Sequence, residues 1–333
     1  GEFYVIDHGN TFVAGNPTSS IALAATSAGD FLYRFGDPAR YGQGEKPRIL
    51  DDWTLSTTGN KQLGGSHDIQ WIPEGLPGAG HFLVFDNAEY LSEHTSQSYV
   101  MEIDPYLDAS GNDTGHYVNP PDAGYVTVTS PAVTDKTPKQ VSRQVVWTYA
   151  SKSSLTLFAT IGSSAQRLPN GNTLVCGDND GYVSEVTSAG AAVWEYIVPI
   201  TKSGKLLVLG DRIPMTNSIF RAYRYLSTDP ALAGRTLTGG TTIAGRTTVE
   251  NPYAGDAGYK ALQRPTETQY WDSTNAYNGY TLFAAQGKTY LVDMQGRVAH
   301  SWSGGTDPRL LESGNLLDWA TDASGNTGLR ERD

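Results

Sequence analysis

The chain is short of cysteine, of positive charge and of long apolar runs. One thiol, Cys176, stands alone in 333 residues. No internal disulfide can form, so the fold must rest on its core. Lys and Arg number 24 against 35 Asp and Glu, a net charge of −11. A chain of that sign offers no basic face to nucleic acid or to an anionic membrane surface. No run of about 18 apolar residues occurs, which excludes a transmembrane helix and membrane insertion by that route. No signal peptide is visible at Gly1, and a mature or partial chain would show none. Zinc-type spacing of His and Cys is missing, as is a phosphate-binding loop ending in Gly-Lys-Ser or Gly-Lys-Thr. Asp178-Asn-Asp-Gly181 resembles half a calcium loop but lacks the downstream acid, and reads as a turn. No metal and no cofactor is expected.

Glycine is plentiful, at 37 residues, and aromatics make up 11%. Both suit short strands joined by tight turns. The strands repeat. Gly1-Glu-Phe-Tyr-Val-Ile-Asp7 returns as Ser98-Tyr-Val-Met-Glu-Ile-Asp104, Gly181-Tyr-Val-Ser-Glu-Val-Thr187 and Thr289-Tyr-Leu-Val-Asp-Met294. Each copy is followed by a short apolar strand: Phe31–Phe35, Val145–Tyr149, Ala192–Tyr196 and Val298–Trp302. Recurring units of this kind read as β-propeller blades, so the fold class is all-β.

A second pair of strands precedes the hairpins, as in Gln166-Arg-Leu-Pro-Asn-Gly-Asn-Thr-Leu-Val175, where Asn170-Gly171 marks the turn. On this pattern residues 1–333 form one propeller domain of about four blades. Residues 66–149 make one blade with an insertion near 105–140, and 163–199 make a compact second. Residues 218–303 make an irregular blade region, in which Ile219–Tyr225 reads as strand or short helix. Residues 1–35 and 309–321 are each half a blade. Together they would complete one shared blade and leave no open edge; otherwise they belong to two separate, incomplete blades. Short helical turns are expected near Pro38–Tyr41 and Pro230–Leu232.

Six histidines occur. His67 stands beside Asp68 at the start of an outgoing strand, Gly65-Ser-His-Asp-Ile-Gln-Trp71. The first strand of a propeller blade lines the channel, so a histidine at its leading end could serve as nucleophile or general base. A capped, purely structural histidine is the plainer reading. His8 reads as a turn residue, His81 as structural in its Gly-rich turn, His94 and His116 as loop residues, and His300 as a surface strand residue. Arg221, with Arg224, Asn217 and Ser218 nearby, could form an anion-facing patch or an ordinary salt-bridged surface. Cys176 lies in an apolar strand and reads as core.

At His67-Asp-Ile-Gln-Trp-Ile-Pro-Glu-Gly-Leu-Pro-Gly-Ala-Gly-His-Phe-Leu-Val-Phe-Asp-Asn87, at Gly162-Ser-Ser-Ala-Gln-Arg-Leu-Pro-Asn-Gly-Asn-Thr-Leu174, and at Ala192–Tyr196, Phe220–Tyr225 and Asp30–Pro38, the chain resembles the aryl-sulfate sulfotransferase family of β-propeller enzymes. The resemblance implies a six-bladed fold and transfer of a sulfuryl group from an aryl sulfate to a phenol, without a nucleotide sulfate donor. A channel histidine carries the group in between, and His67 matches it. The resemblance further implies that Asp68, Asn87, Ser163, Ser164 and Arg221 bind substrate, and that the protein is periplasmic or extracellular. The departures are of order and content. The stretch resembling 278–322 belongs near the N-terminus in the family and comes last here. Two blades carrying a His-His-Asp motif, a His-x-Asn motif and an Arg have no counterpart in this sequence. A non-catalytic extracellular propeller, acting as a binding module or as part of a homo-oligomer or larger assembly, is therefore the alternative. A quinone-dependent propeller dehydrogenase would show Trp-containing motifs in nearly every blade, and these are not evident.

Overall fold

The computed structural model describes residues 2–7, 21–36, 63, 65–87, 98–119, 125–129, 138–150, 157–207, 217–246 and 266–333. His8, His94 and the turn expected near Pro38–Tyr41 lie outside them. The fold is all-β and of the β-propeller class, built from small antiparallel sheets. No helix among the described residues is long and apolar enough to cross a membrane. The chain packs as two compact units, Gly1–Ile161 (unit 1) and Gly162–Asp333 (unit 2).

In unit 1, β1 (Glu2–Asp7), β2 (Ile21–Thr26) and β3 (Phe31–Gly36) make a three-stranded sheet. β4 (Asp68–Trp71), β5 (Phe82–Asp86) and β6 (Tyr99–Ile103) follow. The insertion holds its own hairpin, β7 (Tyr125–Thr129) with β8 (Pro138–Ser142). β9 (Val145–Tyr149) then completes the order β4-β5-β6-β9. This is the blade read from 66–149.

In unit 2, β10 (Ser164–Arg167), β11 (Thr173–Gly177), β12 (Tyr182–Val186) and β13 (Ala192–Ile197) form the compact blade. The irregular region resolves into a regular one. β14 (Ala222–Tyr225), a strand rather than a helix, leads a sheet completed by β16 (Tyr280–Ala285), β17 (Lys288–Val292) and β18 (Val298–Ser303). The long connection carries a 3-10 turn at Pro230–Leu232, as expected, and β15 (Glu267–Trp271), which joins the preceding sheet beside β13. β19 (Thr306–Leu310), β20 (Leu316–Thr321) and β21 (Thr327–Arg332) make a last, three-stranded sheet.

Residues 2–36 and 306–332 each contain a three-stranded sheet, and no described strand pairing joins the two. Thr26-Ser-Ala-Gly29 and Thr187-Ser-Ala-Gly190 make the same turn: Gly29 N donates to Thr26 O and Gly190 N to Thr187 O, each at a positive φ that glycine adopts without strain. The place held by β12 in its blade is thus held by β2, not β1. The ladder slips by one residue just before this turn in four sheets, at Ala24/Ala25, Glu102/Ile103, Glu185/Val186 and Leu291/Val292. A bulge repeated at one position strengthens the local twist of these four sheets in the same way.

The sheets stack face to face. Phe82, Val84, Met101 and Ile103 of the second sheet pack with Ala24, Tyr33 and Phe35 of the first. In unit 2, Cys176, Val183 and Tyr196 meet Phe283, Tyr290 and Val292, with the Tyr196 and Phe283 rings 5.7 Å apart. Cys176 is a fully buried core residue, as the sequence indicated. The opposite face of the β14–β18 sheet, Leu282, Leu291 and Trp302, packs on Leu310 and Leu316.

One ion pair is buried in the first seam of unit 2. Arg224 Nη1 lies 3.1 Å from Glu185 Oε2, with both side chains fully covered. Burial lowers the Arg224 pKa to about 10 against the upward pull of Glu185. Arg224 also donates to Thr281 Oγ1 and to the Tyr277 carbonyl and stacks 4.5 Å over Trp194. Glu185 Oε1 accepts from Asn172 Nδ2 and Tyr277 N. Removing one partner strands a charge away from water. Glu185→Ala and Arg224→Ala are each expected to cost about 3–5 kcal/mol in urea unfolding. The double replacement Glu185→Leu/Arg224→Met is expected to cost less than either, and additive losses would contradict this account.

Candidate functional site

His67 sits one residue ahead of β4, where the chain turns in through Gly65. Its backbone N–H donates to Phe85 O at 3.2 Å, so the ladder of β4 and β5 fixes its Cα. The preceding Ser66 hydroxyl donates to Asp86 Oδ1 at 3.0 Å and anchors the turn. Two oxygens face Nδ1 of the half-buried ring. Nδ1 is 3.0 Å from the Gly65 carbonyl and 2.9 Å from Asn87 Oδ1. The Asn87 amide is itself oriented, because its Nδ2 donates to Ala159 O at 3.0 Å. Ser98 bridges the same carbonyls, donating toward both Asn87 O and Ala159 O. Two acceptors facing Nδ1 place the proton there in the neutral imidazole. The lone pair then resides on Nε2, which is the arrangement a nucleophilic histidine requires.

Asp68 is buried and accepts from Gln70 Nε2 at 2.9 Å, a contact along its own strand. Among the predicted site residues, His67, Asp68 and Asn87 fall in unit 1, with His67 and Asn87 in contact. Ser163, Ser164 and Arg221 fall in unit 2. Asp68 pairs with Phe85 and Ser164 with Cys176, so Ser163 occupies in its blade the place of His67. Ser163 adopts a φ of 78°, accepts Asp178 N on its hydroxyl at 3.0 Å and donates its own N–H to Phe220 O. Ser164 Oγ accepts from Ala222 N at 3.3 Å and donates to Ala222 O at 3.4 Å. Both hydroxyls stitch strand to strand. Arg221 is 3.4 Å from Asp307 Oδ2 and lies 5.0 Å over the Phe220 ring. This is the salt-bridged alternative for that residue. Asn217, grouped with Arg221 in the patch reading, instead donates to Asp180 O and Val198 O.

The sequence reading passed over two features. Asp178 is buried beneath Ser218, and burial pushes its carboxyl up to about 6 against the Ser218 hydrogen bond and the Lys202 charge. His81 is more than a turn residue: Nδ1 lies 2.7 Å from Glu102 Oε1 and Nε2 3.3 Å from Asp104 Oδ2. The signal was present, since Glu102 on β6 and Asp104 just past its end are two residues apart and both reach the His81 ring. Burial pulls the His81 pKa down, but the hydrogen bonds and charges of Asp104 and Glu102 outweigh it and raise the value to about 9. Asp104 in turn is held below its ordinary value, burial being outweighed by His81 and the Tyr106 N–H. Among the described residues no three of His, Cys, Asp or Glu are grouped to hold a metal ion.

No family model matches the chain, and no curated protein matches it significantly. Among solved structures it is similar to a protein of unknown function from Bacteroides caccae, at 9% identity over 95% of this chain and 77% of that one, with a TM-score of 0.36.

The His81 triad makes stability depend on pH. A histidine whose folded pKa is raised from 6.5 to about 9 contributes fully below pH 6.5, and its contribution is lost as pH rises through 9. The Tm is expected to fall between these values, and His81→Gln is expected to flatten that fall. An unchanged slope in the variant would refute the assignment.

Proposed function

We propose that the protein transfers sulfuryl groups between aryl oxygens, with His67 as the carrier. The observation that supports this reading is the ring of His67, whose Nδ1 faces two oxygen acceptors. The resemblance to aryl-sulfate sulfotransferases points to the same residue. In the first half-reaction the Nε2 lone pair attacks sulfur. The S–O bond to the aryl group breaks, and the electron pair leaves on the phenolate, which takes a proton from water. In the second, an acceptor phenol gives up its proton as its oxygen attacks sulfur, and the N–S electron pair returns to Nε2. Asn87 is a positioning residue that holds the proton on Nδ1 through both steps. The periplasm or cell exterior is the compartment that fits this reading.

A second reading, a non-catalytic binding or structural module, draws on a different observation. Ser163, Ser164 and Arg221 are engaged by Asp178, Ala222 and Asp307. A sulfuryl group needs several such donors around its oxygens as charge develops.

Turnover of an aryl sulfate in the presence of a phenol decides between them. His67→Ala is expected to abolish turnover and to eliminate the sulfo-peptide that contains residue 67 after quenching. Asn87→Ala is expected to lower kcat by about ten- to a hundredfold, as the loss of an orienting partner to an imidazole commonly does. Asn87→Asp places a carboxylate beside Nδ1, raises the imidazole pKa, and moves the acid limb of the pH–rate profile upward. Full turnover in His67→Ala sinks the first reading. No turnover by the native chain favours the second.

A further inference from the structure

Within unit 2, the connection that leaves β14 runs back along β18, the last strand of the β14–β18 sheet, and carries one arginine into the seam with the β19–β21 sheet. It turns at Pro230–Leu232, where Ala231 and Leu232 join the apolar cluster of Trp302, Leu310 and Leu316. The Arg235 N–H then donates to Leu232 O at 3.2 Å. Further on, Gly240 N donates to Val298 O and Val298 N to Thr241 O, both at 3.0 Å. The connection is thus pinned to β18 just ahead of His300 and Trp302, which are two residues apart and share a face of that strand.

Three polar side chains meet here. The Arg235 guanidinium carbon lies over the Trp302 ring, 5.3 Å from its centroid. The His300 ring stands at 71° to the same indole, with centroids 4.4 Å apart. Arg235 Nη2 donates to Gly314 O, which fixes the guanidinium in place. Its charge reaches His300, whose pKa is lowered first by burial and then by Arg235. Trp302 is only 7% exposed. The Nε–H of Arg235 and the Nε1–H of Trp302 are both buried, and neither finds an acceptor among the described residues.

These donors select one ligand chemistry. Buried N–H groups in native proteins are nearly always paired, so two unpaired ones on neighbouring side chains call for a shared acceptor. Charge narrows the choice. Arg221, Arg224, Arg246, Arg297 and Arg332 of the same unit each lie against a carboxylate. Arg235 instead contacts a carbonyl and an aromatic ring, and has no acidic partner among the described residues. A water molecule accepts two N–H bonds but leaves the guanidinium without a counter-charge. An anion supplies both. Because the two nitrogens are covered by protein, the anion is compact rather than part of a large organic ligand.

We propose that the seam between the β14–β18 and β19–β21 sheets binds a small inorganic anion of halide size, held by the Arg235 Nε–H and the Trp302 indole N–H. The anion takes the place that a carboxylate takes beside the other arginines. It ties the connection that carries Arg235 to β18.

Nitrogen–proton correlation spectra of the full chain test this through its 7 tryptophan indoles, with Trp302→Phe identifying the signal of residue 302. Chloride replaces gluconate at constant ionic strength, and bromide does so in a second series. The Trp302 signal is expected to shift saturably with both halides. Arg235→Lys keeps the charge but loses the Nε–H, and is expected to weaken binding by about tenfold or more. Chloride is also expected to raise the Tm of the native chain relative to gluconate, and to leave that of Trp302→Phe unmoved. A Trp302 signal that neither halide moves overturns the proposal and leaves water as the acceptor. So does an unchanged midpoint in Arg235→Lys. If that variant fails to fold, the Tm comparison decides, and an equal chloride effect on Trp302→Phe and the native chain rules the site out.

Discussion

A sheet of three or four short strands has two faces and cannot bury either alone. That constraint governs the molecule. Each unit solves it in the same way, by laying one face of a sheet on the opposite face of the next. Ala24, Tyr33 and Phe35 do this with Phe82, Val84 and Met101, and Cys176, Val183 and Tyr196 do it with Phe283 and Tyr290. Fully burying an aromatic or branched aliphatic side chain is worth about 1.5–3 kcal/mol. The seams therefore outweigh any single hydrogen bond in holding sheets together.

Seams made only of apolar contacts would tolerate sliding, and polar groups fix the register. Glu185 and Arg224 join β12 to β14 in the midst of one seam, with Asn172 and Tyr277 also bonding Glu185 and Thr281 bonding Arg224. A pair desolvated on both sides contributes little net stability, because the Coulombic gain is set against desolvation. Its geometric demand is nevertheless strict, since a shift of one residue would leave both charges buried and alone. In unit 1 the His81–Glu102–Asp104 cluster clamps the long β4–β5 turn in a similar way, but at a half-exposed site where protonation sets its strength.

Much of this was legible in the sequence. The all-β class, the 66–149 and 163–199 blades, the buried thiol and the 3-10 turn at Pro230 followed from aromatic strand ends, Gly turns and spacing. β2 was hard to see because Ala22, Leu23, Ala24 and Ala25 fill its middle, leaving β-branched residues only at its ends, Ile21 and Thr26. It is a strand because small residues are what fit opposite Tyr33 and Phe35. β15 was missed for another reason: pairing with β13 is a long-range choice, and nothing local in Glu267–Trp271 names its partner. At the site, position was readable and contact was not. The sequence put His67 at a strand's leading end. The contact between its Nδ1 and Asn87 depends on where β5 stops, and the engagement of Ser163, Ser164 and Arg221 depends on neighbouring strands.

The repeat also bears on why chemistry would sit in one blade and not another. His67 and Ser163 hold the same place ahead of their first strands, and the next turns carry Asn87 and Asp178 at matching positions. The ladder fixes the backbone in both, so the side chains are free to differ without disturbing the sheet. In one blade the outcome is an imidazole oriented by an amide. In the other it is a serine whose hydroxyl is consumed by the Asp178 N–H, beside a carboxyl that burial drives toward neutrality. An amide can accept from Nδ1 without adding charge, whereas a carboxylate at that position would pull the imidazole toward its protonated, non-nucleophilic form. Asn at 87 thus orients the His67 ring through an acceptor that carries no charge of its own.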